Sequence, residues 1–501
     1  MSLRRVKTYK FVGGLNTADG PIDLQDNEAR DLLNVTLSTR GLLEQRAGRV
    51  AIDDGSVPAA KRCEHIRPWY FGSTKLLMCS IDGDVYSMTT GGALTQRFNG
   101  TAATIWSMEQ ATDSTNANKL WMMNGTDAAQ KWDGAAAGTS AWSGSPPAGN
   151  MIRVWKNRMI VSGVAAAPQR LYFSDIGNPE SFPANNFIDI KSTDDDLDPV
   201  TWLEVVGDYL IVFKRNSVWR VFDPTTFENT RVGTPGCLGR FQSAVVNGRL
   251  YYFHSSGVYS TDGLRAPRIE SLKIDNYIRD NLNFAQVSKV RLAASRDRRL
   301  FVAFPYQSSA YNSRLLELIP DLAYGVDAES DPGEPPWVVH DFPCESLATF
   351  RTLDTDRLVA GRADSNKVDA LFEGTNDNGA AISAYWVSSW QGITVEEPIE
   401  RVRRINVEMG GQCTIDLFQD FQDASRFSGT LAAPVDPDPL WDGGVWDGGQ
   451  WDAITSTYLG RVRPEMRGRY HSVKISNNVL DKTFTIYAIE LAIRGGKEHT
   501  K

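Results

Sequence analysis

The chain has 501 residues, a formal net charge of −8 and 42% hydrophobic residues, with 42 glycines and 14 tryptophans. The acidic balance argues against a protein that clamps nucleic acid, because such proteins are normally basic. A composition rich in glycine and aromatic residues is instead typical of a turn-rich β protein.

Cysteine usage and the absence of long apolar runs predict the compartment. The five cysteines are odd in number and lack paired spacing, which predicts free thiols in a reducing cytoplasm. The chain opens with charged residues, and no apolar run suits a signal peptide or a bilayer span. We therefore expect a soluble protein, synthesised in a cytoplasm and without a membrane segment. The cysteines are Cys63, Cys79, Cys237, Cys344 and Cys413.

Short motifs, rather than repeats, mark the first sixty residues. Gly-Gly-Leu-Asn stands at 13–16, and Leu-x-x-Arg-x-Gly stands at 43–48. Between them, Asp26 is placed to cap a short helix through Asn34. The side chains of that helix expected to face the core are Ala29, Leu32 and Leu33. We interpret residues 1–59 as an N-terminal segment that packs with the β domains that follow.

Pairs of apolar strands joined by tight turns recur between residues 60 and 375, which is typical of a repeat architecture. The clearest hairpins are Leu210/Trp219 and Tyr251/Val258, and both faces of the first are apolar. Marker residues of successive hairpins lie 38 to 57 residues apart, near the blade length of a β-propeller. The markers are Leu77, Trp121, Met159, Leu210, Tyr251, Phe301 and Leu358.

These gaps predict an all-β fold whose residues 60–375 form a β-propeller of about six to seven blades, with few short helices. We expect at least five four-stranded blades, with the two clearest hairpins in neighbouring blades. A multi-domain β-sandwich also contains hairpins, but would not space them so evenly. Residues 272–282 have helical spacing and predict one helix within the propeller region.

An acidic connection occupies residues 321–345, with seven carboxylates and no lysine or arginine. An isolated acidic loop is most often ordinary solubilising surface. The candidate residues of this acidic loop are Asp321, Asp327, Glu329, Asp331 and Glu334.

The pattern changes after residue 375. Segments 399–407 and 483–493 alternate strictly, with shorter candidates at 413–419 and 471–475, which predicts half-buried antiparallel strands. We therefore interpret residues 376–501 as a C-terminal β-sandwich-like domain. It contains a Trp-Asp-Gly-Gly repeat whose period fits neither helix nor strand. We expect its tryptophans to form a buried packing or assembly cluster, although aromatic faces also suit sugar stacking. They are Trp441, Trp446 and Trp451.

The sequence contains no recognisable catalytic, cofactor or metal motif. The five histidines have no paired His or Cys at metal-ligand spacing. The acidic run at 194–198 lacks the spacing of a calcium loop, so we interpret it as solvated. We therefore predict no enzyme activity, no cofactor and no metal. A glycan-degrading propeller is the alternative, and its mark would be an axial cleft with convergent acids and aromatics.

The opening motifs carry a resemblance to a known group. Gly-Gly-Leu-Asn at 13–16, Glu28-Ala29, Leu33-Asn34 and Leu-x-x-Arg-x-Gly at 43–48 resemble the N-terminus of tail structural proteins of short-tailed bacteriophages. In that group the tail-tube nozzle carries a propeller. The Trp-Asp repeat also looks like a feature of nozzle-type proteins near their C-terminus.

The resemblance implies a structural protein of the virion tail, a nozzle forming the distal channel for genome ejection. It implies a homo-oligomeric ring, a hexamer in that group, that contacts adaptor proteins and tail fibres and takes part in host cell attachment. DNA would pass transiently without tight binding, since each phosphate contact adds affinity. At least one of two acidic segments, 321–345 or 431–453, would then line or approach the lumen, and the second has five aspartates and no basic residue. Two other functions stay open: a glycan-binding or glycan-degrading tail propeller, and another tail-tube or adaptor component.

Overall fold

The computed structural model describes residues 4–8, 10–38, 40–55, 57–58, 60–191, 198–223, 226, 228–295, 297–322, 334–351, 356–392, 400–433 and 458–495. The chain divides into two compact units. One, the propeller unit, contains Arg49–Pro320 and Asp341–Glu373. The other, the large-sheet unit, contains Met1–Gly48, Asp321–His340 and Gly374–Lys501.

Seven four-stranded sheets form a seven-bladed β-propeller. Blade 1 contains the strands Cys63–Phe71, Thr74–Ile81, Asp84–Thr89 and Leu94–Phe98. Blade 2 contains Ser107–Thr112, Asn118–Met123, Gln130–Trp132 and Ser140–Ala141. Blade 3 contains Met151–Trp155, Arg158–Ser162, Arg170–Phe173 and Phe187–Asp189. Blades 4 and 5 are Val200–Val206, Tyr209–Lys214, Val218–Val221, Asn229–Gly233; and Ser243–Val246, Arg249–His254, Gly257–Thr261, Arg268–Ile269. Blades 6 and 7 are Arg291–Ala294, Leu300–Phe304, Arg314–Leu318, Trp337–His340; and Cys344–Arg351, Asp356–Arg362, Val368–Leu371, Arg49–Ala51.

The expected all-β propeller is confirmed, and the two clearest hairpins lie in neighbouring blades 4 and 5. Val212 is paired with Trp219 in the first, and Phe253 with Val258 in the second. The strand segment from Leu210 to Phe213 is fully buried, as two apolar faces require when blades cover both sides.

The last blade is completed by a strand from the start of the chain. Arg49–Ala51 pairs antiparallel with Val368–Leu371, so residues far apart in sequence close the ring of blades. The fully buried carboxylate of Asp369 lies 3.7 Å from Arg49 Nε and 3.8 Å from Arg362 Nε. The sequence had placed residues 1–59 outside the propeller, because a single three-residue strand has no periodicity to reveal it.

Helices are few, as expected. The helix predicted over 272–282 is confirmed as a 3₁₀ turn at Leu272–Ile274 that leads into an α-helix at Asp275–Asn281. It lies between blades 5 and 6. The 3₁₀ turns Phe284–Lys289 and Pro320–Leu322 are the other helical segments that the described residues contain.

The large-sheet unit contains one 12-stranded sheet, which confirms the expected separate β domain. Its central strand, Glu400–Gln419, runs for 20 residues and changes partner along its length, from Phe484–Gly495 to His471–Asn477. Its remaining strands are Arg4–Thr8, Gly14–Leu15, Glu28–Leu33, Val35–Leu37, Leu43–Gln45, Ala384–Ser388, Phe427–Ala432, Tyr458–Val462 and Met466–Gly468.

The helix expected from Asp26 to Asn34 is wrong, because Glu28–Leu33 is a strand. It pairs antiparallel with Ala384–Ser388, more than three hundred positions later in the chain. A short apolar set such as Ala29 and Leu32 fits either period, and tertiary pairing decides between them. Both of these side chains are buried.

Candidate functional site

The first strand of each blade lies innermost, and the first strands of neighbouring blades contact one another around the axis. Because side chains alternate across a strand, each innermost strand points some of its residues into this axis. Charged residues occupy the axis on most blades: Glu64, Arg67, Glu109, Arg153, Glu204, Arg291 and Glu345.

A chain of polar contacts links the first strands of blades 1 to 5. Arg67 Nη2 lies 2.8 Å from Glu109 Oε2, and Glu109 also pairs with Arg153. Arg153 Nη2 lies 3.2 Å from Glu204 Oε2, which accepts a hydrogen bond of 3.1 Å from Ser243 Oγ. Burial opposes the charge on Arg153, but Glu204 and Glu109 outweigh it and raise the pKa of the guanidinium. Each charge here has an opposite partner, so the chain fastens neighbouring blades.

Two cavities lie along the axis, and Phe241 and Arg291 line both. The larger, of about 590 Å³, we call the Glu64 cavity. The smaller, of about 410 Å³, contains the polar chain just described, and we call it the Arg153 cavity. The residues of the Glu64 cavity used below are Glu64, Asn150, Arg240, Phe241, Arg291 and Glu345.

Phe241 separates the two cavities in a strained backbone conformation. Its φ is +63°, in the left-handed region that a bulky residue rarely adopts. The ring stacks on His65 with centroids 3.9 Å apart and lies 4.6 Å from the Trp202 ring. Its carbonyl accepts a hydrogen bond of 3.1 Å from Leu292 N, which helps to hold the backbone in place. Such strain persists only where the surroundings over-determine it, and it concentrates at functional sites.

Burial and like charge shift the ionisation of the Glu64 cavity. Burial, followed by Glu345 and Asp82, raises the pKa of Glu64 to about 7. Burial, followed by repulsion from Arg291, lowers the pKa of Arg240 to about 10. Burial also lowers the pKa of Arg291. In this cavity, burial therefore disfavours the charged forms of Glu64, Arg240 and Arg291.

The arginines of the Glu64 cavity bind backbone carbonyls. Arg240 Nη1 donates to the carbonyls of Asn150, at 3.0 Å, and Ile105, at 3.3 Å. Arg291 Nη1 donates to the carbonyls of Ser288, at 2.9 Å, and Val290, at 3.0 Å. The guanidinium groups lie 5.7 and 5.6 Å from the centre of the Phe241 ring. Two positive groups thus lie near one aromatic ring.

The site residues predicted from sequence lie elsewhere. Asp321 and Glu334 are half-buried and belong to the large-sheet unit. The other predicted residues lie outside the described residues: Asp327, Glu329, Asp331, Trp441, Trp446 and Trp451. Glu345, the last residue of the acidic connection, lines the Glu64 cavity.

Sequence reasoning missed the Glu64 cavity because its residues come from different blades. A usable signal was present, since one Arg or Glu stands within the apolar first strand of most blades. A charged residue inside a buried strand is unusual and marks a polar interior. Within the described residues, no group of three or more His, Cys, Asp or Glu could hold a metal ion. No helix there is long and apolar enough to cross a membrane.

Comparison with known proteins adds nothing on function. No protein-family model and no curated protein matches the chain. Solved structures similar to it include the computationally designed Ika8 protein (12% identity, TM-score 0.36), over 62% of this chain and 98% of the other. PorZ of the Porphyromonas gingivalis type-IX secretion system matches at 13% identity and TM-score 0.38, over 70% and 44%. The extracellular domain of BT4673 from B. thetaiotaomicron matches at 10% and 0.41, over 75% and 44%.

Proposed function

We propose that the chain is a structural protein of the tail of a short-tailed bacteriophage, and specifically the subunit of a tail nozzle. The observation that carries this proposal is that the residues of the opening motifs are architectural. Each of the residues below makes a specific contact within the large-sheet unit. These contacts support the proposal because the residues that carry the resemblance are ones on which the fold of the large-sheet unit depends.

The Gly-Gly-Leu-Asn motif is packed too tightly for other residues. Gly14 has φ +67°, and a Cβ there would lie 2.7 Å from the carbonyl oxygen of Trp337. Asn16 is buried, and its Nδ2 donates to Glu28 Oε2 at 3.0 Å and to Asp19 Oδ2 at 2.8 Å. Asn16 thus joins the motif to the strand that begins at Glu28.

The second half of the opening motif is held by one buried arginine. Arg46 is fully buried and binds Asp377 through both terminal nitrogens, at 2.9 and 2.8 Å. Its Nε donates to Asn34 Oδ1 at 2.8 Å, and Asn34 has φ +55°. At Gly48, a Cβ would overlap the carbonyl of Asn376. Arginine suits this place because its planar fork can satisfy a carboxylate and an amide together.

In the proposed role, the protein belongs to the virion tail and forms a closed ring by a repeating head-to-tail interface. The ring, a hexamer by the resemblance, binds adaptor proteins and tail fibres and takes part in host cell attachment. DNA passes through its channel without tight binding, which the net charge of −8 favours because phosphates are not neutralised. The acidic segments at 321–345 and 431–453 are the parts proposed to approach the lumen.

The proposal is tested by locating the chain in a phage particle and by measuring DNA binding. We expect electron microscopy of particles with a tagged chain to show a ring at the distal end of the tail. We expect the purified protein to bind duplex DNA poorly at physiological salt. A monomer in the mature particle, or tight DNA binding at that salt, would contradict the proposal.

A glycan-binding propeller is a second candidate, supported by a different observation. The mark expected for it, an axial cleft with convergent acids and aromatics, corresponds to the Glu64 cavity. This cavity brings Glu64 and Glu345 together with Phe241. Tail proteins that meet a cell surface encounter glycans, so the two functions are compatible within one chain.

A further inference from the structure

We infer that the Glu64 cavity binds a carboxylated sugar, a glycan unit of the uronic acid class. This inference rests on the second candidate function and does not depend on ring assembly. Three properties of the cavity determine the ligand: positive groups that have no carboxylate partner, hydrogen-bond acceptors that have no donor, and an apolar lining.

The positive groups call for an anion. Among the residues that the structure describes, neither Arg240 nor Arg291 has a carboxylate oxygen within ion-pair distance. Arg291 is only 5% exposed, and its Nε has no hydrogen-bond partner there. Glu345 and Glu64 act on Arg291 only from beyond that distance. A buried and a half-buried cation without a close carboxylate are costly, and an anionic group beside them would relieve this cost. A carboxylate also matches the planar fork of arginine.

The acceptors call for hydroxyl donors on the same ligand. Glu64 Oε2 and Asn150 Oδ1 line the cavity, and both are buried without a hydrogen-bond donor among the described residues. Buried polar atoms are nearly always paired in native proteins, by protein or by water, so a ligand that displaces water from this cavity must offer donors to these two oxygens. An inorganic anion such as sulfate has no hydrogen-bond donor. A sugar bears several hydroxyl groups beside its carboxylate and satisfies both demands.

The size and lining of the cavity fit a sugar ring. Its volume of about 590 Å³ falls in the range of about 300–1,000 Å³ that small-molecule sites occupy. Ile105, Met151 and Phe241 supply an apolar wall for the C–H face of such a ring. In the Arg153 cavity, close ion pairs already involve Arg67, Arg153 and Glu204. Arg291 lines both cavities, but the Glu64 cavity places Arg240 beside it, so the Glu64 cavity is the one assigned to the ligand.

Calorimetric titration of the full chain tests this assignment with two probes that differ only in the carboxylate. We expect methyl β-D-glucuronide to bind at millimolar concentration or lower, and methyl β-D-glucoside to bind at least tenfold more weakly. Inorganic sulfate should compete only weakly. Equal affinity for the two sugars, sulfate binding as tight as the glucuronide, or no glucuronide binding by the wild type would overturn the assignment.

Variants locate the site. Arg240→Gln should weaken glucuronide binding at least tenfold, while Arg268→Gln, at an exposed arginine in the outer strand of blade 5, should leave it unchanged. Because an arginine variant could misfold, a wild-type crystal soaked with the glucuronide gives an independent test. Its carboxylate must lie within ion-pair distance of Arg240 or Arg291, and any other location refutes the site. Binding by a protein that forms no ring would separate this inference from the nozzle proposal.

Discussion

Replacing Glu64 by glutamine should stabilise the protein at neutral pH and leave it unchanged in acid. Burial, with Glu345 and Asp82 nearby, raises the pKa of this carboxyl from 4.5 to about 7, and Arg291 only partly offsets the effect. At about 1.4 kcal/mol per pH unit, the shift corresponds to about 3 kcal/mol. Because the cavity admits solvent, we expect a stabilisation of about 1–3 kcal/mol.

The sign follows from proton linkage. A carboxyl whose pKa is higher in the folded than in the unfolded protein favours folding when protonated, and opposes it once ionised. The free-energy cost of the ionised Glu64 carboxyl to folding is therefore absent below pH 4.5, grows up to about pH 7 and has its full value above pH 7. Glutamine keeps the shape and cannot ionise. The advantage of Glu64→Gln must therefore develop between about pH 4.5 and pH 7 and persist at higher pH.

Thermal unfolding of the ligand-free full chain, followed by tryptophan fluorescence at pH 4, 6 and 8, measures the effect. Glu204→Gln is the matched control with the opposite sign, because it removes the partner of Arg153 and the acceptor of Ser243 Oγ. We expect that control to lower the midpoint at pH 8. The reasoning is refuted if Glu64→Gln raises the midpoint equally at pH 4 and pH 8, or lowers it at pH 8.

Three further predictions concern packing. Arg46→Met should cost about 3–5 kcal/mol in chemical denaturation, because it leaves the Asp377 carboxylate without its bidentate partner; stability within about 1 kcal/mol of the wild type would contradict this. Gly48→Ala should destabilise the protein by at least about 1 kcal/mol in the same assay, because its Cβ would overlap a backbone carbonyl. Asp369→Asn should accelerate amide hydrogen exchange in Arg49–Ala51, the strand that completes blade 7, because it weakens the ion pair with Arg49. Unchanged exchange would mean that the buried carboxylate does not stabilise the pairing of this strand.

The repeat could be predicted from sequence because a blade is built from local hairpins. The strand around Leu210 and its partner around Trp219 are adjacent in the chain, so periodicity and turn residues reveal them. Contacts between segments that are distant in the chain are not revealed by periodicity or by turn residues. The Arg49–Ala51 strand closes a blade from the other end of the propeller, and Glu28–Leu33 takes its conformation from Ala384–Ser388.

The axial site was hidden for the same reason, because its members come from different blades. Glu64 precedes Arg240 and Arg291 by well over a hundred positions, and no local spacing relates them. The acidic residues that attracted attention in the sequence form a run, and runs of charge are usually solvated. Single charges inside apolar strands are the better signal, since burial makes each one costly unless it has a role.

The two axial cavities show that composition alone does not separate a structural cluster from a binding site. Both contain arginines and glutamates from the first strands of blades. In the Arg153 cavity, Arg153 has close partners in Glu109 and Glu204, so an anion that bound to it would first have to break ion pairs. In the Glu64 cavity, Arg240 and Arg291 bind only carbonyls, and an incoming carboxylate would break no ion pair. The ligand is therefore assigned to the Glu64 cavity because its arginines have no close carboxylate among the described residues, and not because of the residue types that line it.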